Sequence, residues 1–331
     1  MILVMKAVLV DGKYFKHDMK YERETLAAHG IEFVVTQVNN DEEYIEACKD
    51  ADAVLICYAD TNRNVISHLK KTKVLVRYGV GFEVIDVKAA TDYGIAACNI
   101  PHYCTEEVAV QAVALFMTCL RQTTLNNKMV HQGEWLHKKN WPYKRLSNLK
   151  IGVIGFGKIS KLICKYLKGF GCTLMAYDPF LEDSVFTENG VIRATKEELC
   201  STCDAIIVQL PLNEGTFHIL DKAEFDLMKK GVYIVNTGRG GLVNTEALCD
   251  AIDNGTVAAA GLDVVEGEPL TDPSARILQY DCVTICPHHG AQSDAAGVNL
   301  ILQVIDTVIK VLEGELPYNV LNRAELLAKK E

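Results

Sequence analysis

The chain has 331 residues, of which 49% are hydrophobic and 23% are charged, and its formal net charge is −9 at pH 7. This length and composition are typical of a globular protein with two domains of ordinary size. The negative charge is spread along the chain without long runs, which argues against nucleic-acid binding because that function requires a basic surface.

The first ten residues predict a strand, since they are apolar, contain Lys6 and lead into Asp11 without the features of a signal peptide. No apolar run has the roughly 18–20 residues that we expect of a membrane span. The 12 cysteines lie within apolar segments, as buried free thiols do, and indicate a reducing cytoplasm. Cys200 and Cys203 form a C-x-x-C pair without a further ligand set, so we expect a helix end there and no metal site.

Residues 1–100 alternate between strand and helix patterns, which predicts a small α/β domain with a parallel sheet. No glycine-rich nucleotide-binding turn follows the first strand. The predicted strands are residues 4–10, 32–37, 53–57, 73–77 and 95–98, and the predicted helices are residues 21–29, 41–49, 64–69 and 84–93.

Pro101 interrupts this pattern, and a second α/β series follows it. Thr105 is the expected N-cap of a long helix, with Glu106 and Glu107 in its first turn and apolar spacing over residues 108–120. The predicted strands of the second series are residues 151–154, 172–177, 205–210, 232–236, 258–263 and 283–286, and the predicted helices include residues 158–170, 243–253 and 294–312.

The most informative stretch is the glycine turn that follows the first strand of the second series. Gly155 and Gly157 come directly after the strand, a helix pattern follows, and the next strand ends on Asp178. This order is typical of a dinucleotide-binding unit, in which the pyrophosphate lies at the helix N-terminus and the acid binds the adenosine ribose. Ser160 occupies the third glycine position, where a small side chain still allows close packing.

The acid at the end of the second strand predicts NAD in preference to NADP. Asp178 would accept hydrogen bonds from a ribose and repel a 2′-phosphate. Pro179 and Phe180 follow it, and no arginine stands beside it in the sequence to receive a phosphate.

Three polar residues follow other strands of this nucleotide-binding sheet. Arg239 lies in a glycine-rich turn after residues 232–236, Glu268 follows the strand that ends at Asp263, and His288 follows the strand that ends at Cys286. Ligands of open parallel sheets bind beyond the carboxyl ends of strands. Together these side chains predict an acid/base pair and a clamp for a carboxylate.

Several motifs occur in a characteristic order along the chain, among them residues 77–82, 85–87, 101–109, 152–157, 211–216, 236–241, 261–264, 268–269 and 287–288. With this set, the sequence resembles the D-isomer-specific 2-hydroxyacid dehydrogenase family over nearly its whole length. The resemblance implies an α/β protein of two domains with parallel sheets. A Rossmann NAD-binding domain, residues 102–290, is inserted into a flavodoxin-like substrate domain, residues 1–101 and 291–331. It also implies a homodimer through the NAD-binding domain and an active-site cleft that closes on its ligand.

The resemblance further implies the role of each polar residue. Arg239 binds the substrate carboxylate and polarises the keto oxygen, while His288 is the general acid, paired with Glu268, which favours its charged form. His289 and Glu266 are the alternatives for the histidine and for its acidic partner. The activity implied is the reversible NAD-dependent reduction of a 2-oxo acid to an (R)-2-hydroxy acid.

The remaining site residues are also implied by the resemblance. Asp263 is expected to hold the nicotinamide carboxamide, and backbone N–H groups near Gly79 are expected to hold the substrate carboxylate. The expected substrate-binding residues are Arg77, Tyr78, Gly79, Val80, Arg239 and His288. The expected cofactor-binding residues are Gly155, Phe156, Gly157, Lys158, Ile159, Asp178, Pro179, Leu210, Pro211, Thr216, Thr237, Gly238, Arg239, Asp263, His288 and Gly290.

Within the family, residues 76–82, 97–101 and 106–107 are most similar to the C-terminal-binding-protein-like branch. This similarity supplies the alternative function, an NAD(H)-sensing corepressor-like binding protein with little turnover. The side chain of the substrate stays open among glyoxylate, hydroxypyruvate, pyruvate, phenylpyruvate and branched 2-oxo acids. His102, Tyr103, Trp135 and Trp141 are candidates for the wall of its pocket, although the tryptophans could equally belong to a dimer contact.

Overall fold

The computed structural model describes residues 5–15, 18–135 and 143–329, and the chain divides into two compact units. Unit 1 comprises Met1–Cys104 and Ser293–Glu331, and unit 2 comprises Thr105–Gln292. The sequence placed these boundaries at residues 101/102 and 290/291.

All strand pairs of the described residues are parallel. In chain order the strands are β1 (Met5–Leu9), β2 (Ile31–Val35), β3 (Ala53–Ile56), β4 (Val74–Arg77), β5 (Ala96–Cys98), β6 (Lys150–Ile154), β7 (Thr173–Tyr177), β8 (Ile192–Arg193), β9 (Ala205–Val208), β10 (Val232–Asn236), β11 (Val257–Leu262) and β12 (Val283–Ile285).

Helices follow most of these strands, as the crossovers of parallel sheets require. In chain order the helices are α1 (Lys20–Ala28), α2 (Asp41–Cys48), α3 (Arg63–His68), α4 (Val87–Asp92), α5 (Thr105–Arg121), α6 (Thr123–His131), α7 (Lys158–Lys168), α8 (Asp183–Glu188), α9 (Lys196–Thr202), α10 (Lys222–Leu227), α11 (Thr245–Asp253), α12 (Asp294–Leu312) and α13 (Arg323–Ala328).

Unit 1 is built on a five-stranded sheet in the order β2-β1-β3-β4-β5, the flavodoxin-like arrangement. Strands β3 and β4 are apolar runs. All of β3 and the first three residues of β4, Val74 to Val76, are fully buried, as expected for strands covered on both faces. One hydrophobic cluster covers each face of the sheet, and α12 contributes Val304, Ile305 and Val308 to one of them. The first and last segments of the chain therefore share one core.

Unit 2 is built on a seven-stranded sheet in the order β12-β11-β10-β9-β6-β7-β8. Read from β8, this is the Rossmann order with an added seventh strand, and the order in which strands are added to the sheet reverses between β6 and β9. Hydrophobic clusters lie on both faces of the sheet, and α5 packs against α7 and against β10, β11 and β12. The predicted α/β fold with two parallel sheets, one of them a Rossmann sheet, is confirmed.

The expectation about apolar runs is wrong for one helix. Among the described residues, α12 is long and apolar enough to cross a membrane, and the bent pair α5–α6 passes the same test if it is counted as one segment. In unit 1, however, α12 packs one face into the core, while Asp306 and Lys310 pair on its exposed side. Burial against the sheet thus accounts for part of its apolar composition.

Several predicted helix starts also differ from the structure, among them those of α4 and α5. Helix α4 begins at Val87 and not at residue 84, because the Asp86 carboxylate caps it by accepting a hydrogen bond from the Ala89 amide at 2.7 Å. Helix α5 begins at Thr105 itself, so Thr105 is its first residue and not its N-cap. Cys200 and Cys203 lie at the end of α9, as expected, and both are buried free thiols.

Candidate active site

The carboxyl ends of the parallel strands of unit 2 collect the expected functional residues at one edge of the sheet. Each of these strands ends just before one of the turns that the sequence singled out. The residues that follow the strands β6, β7, β9, β10, β11 and β12 are respectively Gly155, Asp178, Leu210, Arg239, Asp263 and His288. Ligand sites of such sheets form at this edge.

The glycine turn has the geometry that dinucleotide binding needs. Gly155 has φ +85°, and a Cβ atom there would lie 2.5 Å from the Gln209 carbonyl oxygen, so only glycine fits. Gly157 caps the N-terminus of α7, and the space where its Cβ would lie is open to a distance of 4 Å. The backbone N–H groups in the first turn of α7, at Lys158 and Ile159, can therefore face an anion. Ser160 is fully buried, which agrees with close helix packing at that position.

Asp178 ties the glycine turn to the end of β7. One of its carboxylate oxygens accepts a hydrogen bond from the Phe156 amide at 3.0 Å, and the other accepts one from the Phe180 amide at 3.1 Å. The carboxylate is thus held in position, and it keeps lone pairs for further donors. The link between Asp178 and Phe156 was not foreseen from the sequence.

A cavity of about 660 Å³ lies beyond β7 and is lined by Asp178, Pro179 and residues of β8 and α9. It also contains Arg193, which is paired with Asp183 and stands over the ring of Phe186 at 5.4 Å. The expectation that no arginine is near Asp178 is therefore wrong in space. The short strand β8, which carries Arg193, was not predicted and brings the guanidinium to this cavity.

The turn after β9 is stabilised by local hydrogen bonds. The Thr216 hydroxyl donates to the Pro211 carbonyl at 2.7 Å and accepts from the Asn213 amide at 2.8 Å. Across the edge of the sheet, the Thr237 hydroxyl donates to the Gln209 side chain at 2.6 Å. Leu210 touches the glycine turn, because a Cβ atom at Gly155 would lie 2.7 Å from its Cβ.

Arg239 is held in an extended conformation just after β10. Its Nη1 donates to the Gly238 carbonyl at 2.8 Å, and its own carbonyl accepts a hydrogen bond from the Asn236 side chain at 2.8 Å. A Cβ atom at Gly240 would lie 2.2 Å from the Val265 carbonyl oxygen, so this turn contacts the backbone of the loop that carries Glu268.

Glu268 and His288 form a hydrogen-bonded pair. Nδ1 of His288 lies 2.7 Å from Oε1 of Glu268, and Oε2 of Glu268 accepts a hydrogen bond from the Val265 amide at 3.2 Å. The histidine side chain is half exposed and the glutamate side chain about one-third exposed. With Nδ1 engaged, Nε2 is the ring nitrogen left to meet a ligand.

The electrostatics of the pair favour an ionised glutamate. Burial opposes ionisation, but the hydrogen bond and positive charge of His288, the Val265 amide and the charge of Arg239 together hold the pKa of Glu268 below its ordinary value of 4.5. Arg239, Glu268 and His288, which are far apart in sequence, are thus neighbours in unit 2.

Asp263 organises the turn that presents His288. It is buried, and its carboxylate accepts hydrogen bonds from the Gln111 side chain at 3.1 Å, the His289 amide at 3.2 Å and the Gly290 amide at 2.8 Å. His288 itself has φ +56°, a left-handed conformation that is uncommon for a residue with a side chain. Strain of this kind is typical of functional sites.

The two alternatives from the sequence occupy different positions. Glu266 pairs with His218, whose Nε2 lies 2.7 Å from Oε1 of the glutamate, and not with His288. The backbone amide of His289 lies against Asp263, while it is the imidazole of His288 that meets Glu268. The pairing of His218 with Glu266 was not foreseen.

The expected substrate-binding residues of unit 1 lie together at the carboxyl end of β4. Gly79 has φ +144°, and a Cβ atom there would lie 2.3 Å from Nη1 of Arg77, so the guanidinium is folded against the glycine backbone. The Tyr58 ring is 5.6 Å from the Arg77 guanidinium carbon, and the buried Arg77 Nε has no hydrogen-bond partner within the described residues. Tyr78 is buried, and the Val80 carbonyl accepts from Asn99.

The aromatic candidates for the substrate pocket do not form one group. His102 stacks on Tyr318, with ring centroids 5.9 Å apart, and Tyr103 packs against the core of unit 1. Trp135 follows α6 and is 74% exposed, whereas Trp141 lies outside the described residues.

Among the described residues, no cluster of three histidine, cysteine or acidic side chains could hold a metal ion.

Comparison with known proteins agrees with this geometry. Residues 113–290 match the family model described as D-isomer specific 2-hydroxyacid dehydrogenase, NAD binding domain. The chain is 37% identical over 292 residues to D-3-phosphoglycerate dehydrogenase of Methanocaldococcus jannaschii, covering 87% of this chain and 55% of that protein. The chain belongs to the D-isomer-specific 2-hydroxyacid dehydrogenase family.

Other relatives extend the match. The chain is 32% identical to glyoxylate reductase of Korarchaeum cryptofilum, covering 84% of this chain and 85% of that protein. A crystal structure of a glyoxylate reductase from Paecilomyes thermophila superimposes with a TM-score of 0.87 at 28% identity, covering 97% of this chain and all of that one. The chain spans about half the length of the phosphoglycerate dehydrogenases that it matches. Unit 2 is the NAD-binding domain of this dehydrogenase family, and NAD is its cofactor; the likeness to one branch of the family stays a prediction.

The lowered pKa of Glu268 predicts how the stability of the protein changes with pH. A carboxyl whose pKa falls on folding stabilises the protein fully above its ordinary pKa and loses that contribution as the pH falls through the lowered value. We expect Glu268→Gln to lower the melting temperature at about pH 6, and the difference from wild type to shrink as the pH falls through the lowered pKa of Glu268. Melting curves across this range measure it. Glu188→Gln, at an exposed glutamate, is the control and should give no such dependence; a difference that grows in acid would contradict the expectation.

Proposed function

We propose that this protein is an NAD-dependent oxidoreductase that reversibly reduces a 2-oxo acid to an (R)-2-hydroxy acid. The observation that carries the proposal is the 2.7 Å hydrogen bond between His288 Nδ1 and Glu268 Oε1. The positive charge of Arg239 also helps to lower the pKa of this glutamate. This trio lies at the same edge of the sheet as the glycine turn. NAD supplies or accepts the hydride when bound.

His288 is the proposed general acid and base. Glu268 holds Nδ1, so Nε2 carries the proton that is given to the carbonyl oxygen during reduction and taken from the hydroxyl during oxidation. The hydrogen bond between Glu268 and Nδ1 orients the ring. The Val265 amide fixes the second oxygen of Glu268, which limits rotation of the carboxylate.

Arg239 is the proposed clamp for the substrate. A guanidinium presents a planar fork that matches a carboxylate and polarises an adjacent keto oxygen. The hydrogen bond that the Arg239 side chain donates to the Gly238 carbonyl holds part of the side chain in place before a ligand arrives. The bond that the Arg239 carbonyl accepts from Asn236 holds its backbone. In unit 1, Arg77 and the backbone at Gly79 and Val80 form a second proposed anion site, because a guanidinium whose buried Nε lacks a hydrogen-bond partner favours a carboxylate.

The residues that would hold NAD lie beyond the carboxyl ends of the strands in unit 2. The helix N-terminus at Gly157, Lys158 and Ile159 suits the pyrophosphate, and the cavity beside Asp178 and Pro179 suits the adenosine. The nicotinamide end is assigned to the turns that carry Thr237 and Asp263. After its three hydrogen bonds, the Asp263 carboxylate retains acceptor capacity for a carboxamide.

The relatives described above are named as dehydrogenases or reductases. We therefore favour the enzyme over the corepressor-like alternative. Their names suggest glyoxylate and 3-phosphoglycerate as compounds to include in a substrate panel, beside hydroxypyruvate, pyruvate, phenylpyruvate and branched 2-oxo acids. NADH oxidation with each 2-oxo acid, and NAD reduction with 3-phosphoglycerate, test the activity. A complete lack of turnover across the panel would favour the binding-protein alternative.

The role of His288 is tested by substitution. We expect His288→Ala to lower turnover by about two to four orders of magnitude, the usual contribution of a positioned acid or base, while NADH affinity changes little. Steady-state rates give the first quantity and fluorescence titration the second. His289→Ala is the matched control from the neighbouring position and should keep most of the activity. If His289→Ala loses activity and His288→Ala keeps it, the proposed histidine is wrong.

The preference for NAD is tested at the adenosine cavity. Asp178, Asp183 and Glu198 outnumber the single cation Arg193 there, so a 2′-phosphate meets net repulsion. We expect NADH to be used more efficiently than NADPH, and Asp178→Ala to narrow the ratio of their kcat/KM values. Asp183→Asn should narrow it further by releasing Arg193. Equal use of both cofactors by the wild type would contradict the preference.

A homodimer through unit 2 is the proposed assembly, and the reducing cytoplasm is the proposed compartment of its 12 free cysteines. Helices α5 and α6 expose Val110 and Val130, each about half accessible, and Trp135 follows them. Light scattering should give twice the mass of 36.6 kDa, and Val130→Asp should shift it towards the monomer. Val298→Asp, at an equally exposed valine of unit 1, is the control. A monomeric wild type would contradict the dimer.

A further inference from the structure

A second histidine–glutamate pair lies in unit 2, next to the loop that carries Glu268. Nε2 of His218 lies 2.7 Å from Oε1 of Glu266, and both side chains are largely removed from solvent, at 22% and 35% exposure. Such a pair is not needed for the proposed proton transfer, because His288 and Glu268 already supply the acid and its partner. We propose that His218 and Glu266 are positioning residues that hold the Glu268 loop in its working geometry.

The first support is the backbone of His218, which is fixed independently of its side chain. It has φ +51°, and its amide donates to the Gly241 carbonyl at 2.8 Å. Two residues later, Leu220 exchanges hydrogen bonds with Leu242 and Asn244. The imidazole therefore projects from a segment that is bonded to the turn following Arg239.

The second support is the way in which Glu266 is used. Its Oε1 meets His218, and its Oε2 lies 3.4 Å from the Thr245 amide at the start of α11. The partial positive charge of a helix N-terminus favours a carboxylate at this place. Glu266 thus joins two separate segments, the His218 turn and α11, to its own loop.

The third support is the short path from Glu266 to Glu268. The loop is a tight turn in which the Glu268 amide donates to the Val265 carbonyl at 3.3 Å, while the Val265 amide donates to the Glu268 carboxylate. A displacement of Glu266 is therefore transmitted to the carboxylate that holds His288. The absence of a side chain at Gly240 lets the Arg239 turn contact this loop, since a Cβ atom there would lie 2.6 Å from the Glu266 amide nitrogen.

The His218 ring is also held by packing. The ring of Phe217 stacks on it, with centroids 3.8 Å apart and planes inclined by 22°. The edge of Phe217 in turn lies over Gly241, where a Cβ atom would be 3.3 Å from the ring. The histidine can thus keep one orientation, which a positioning role requires.

The test combines substitutions at His218 and Glu266 with a change at Glu268. Rates are measured with NADH and with hydroxypyruvate or glyoxylate, whichever turns over faster. We expect His218→Ala to lower kcat about tenfold, because small misplacements of a catalytic group are costly, with little change in KM or NADH affinity. His218→Gln keeps a donor for Glu266 and should recover most of the loss. Glu266→Ala should match His218→Ala, and the double variant should be no worse than either.

The decisive comparison is the same substitution in a Glu268→Ala background. If His218 acts through Glu268, His218→Ala should then lower kcat by less than about twofold. An equal loss in both backgrounds, a change confined to KM, or an unchanged kcat in the single variant would each overturn the proposal. If His218→Ala fails to fold, His218→Gln and Glu266→Gln carry the comparison. His29→Ala is the control, because it breaks a comparable pair with Glu313 in unit 1.

This inference rests on the proposed function, and the two fail separately. If His288→Ala keeps full turnover, the proposed mechanism is wrong whatever His218 does. If His288→Ala abolishes turnover and His218→Ala does not change it, only the positioning role is wrong.

Discussion

The buried carboxylate of Asp263 is the interaction on which the site of unit 2 depends. It collects three donors, the Gln111 side chain and the amides of His289 and Gly290, that would otherwise be unsatisfied or disordered. These bonds keep the turn after β12 compact, and His288 is held in a left-handed conformation directly before them. A side chain at position 290 would collide with the carboxylate at 2.6 Å, so glycine is required there.

The Glu268 loop is fixed from two directions. On one side its carboxylate meets His288 and the Val265 amide, which uses both oxygens and leaves the ionised form favoured. On the other side Glu266 binds His218 and approaches the start of α11. A hydrogen bond of normal length at each end of a three-residue segment leaves little freedom for the carboxylate between them, which is what orientation of an imidazole requires.

In the cavity beside Asp178, acidic residues outnumber the arginine. Asp178 is anchored by the Phe156 amide of the glycine turn, so the residue proposed to bind the ribose also stabilises the turn proposed to bind the phosphates. Arg193 enters the same cavity from β8 but is neutralised by Asp183. The cavity therefore stays net negative although it contains an arginine, and the balance of charges, rather than the presence of one residue, sets the expected preference for NAD.

The sequence alone determined the parallel α/β fold, the glycine turn and the strands that Arg239, Glu268 and His288 follow, because apolar runs, helical spacing and glycine positions are local signals. It misjudged the surroundings of Asp178, since Arg193 is fifteen residues away along the chain and reaches the cavity only through β8. The resemblance favoured Glu268 over Glu266, two positions apart in one loop, but nothing in the sequence indicated that Glu266 pairs with His218. Only the tertiary structure gave each glutamate its own histidine, because that pairing depends on loops from different strands meeting at one edge of the sheet.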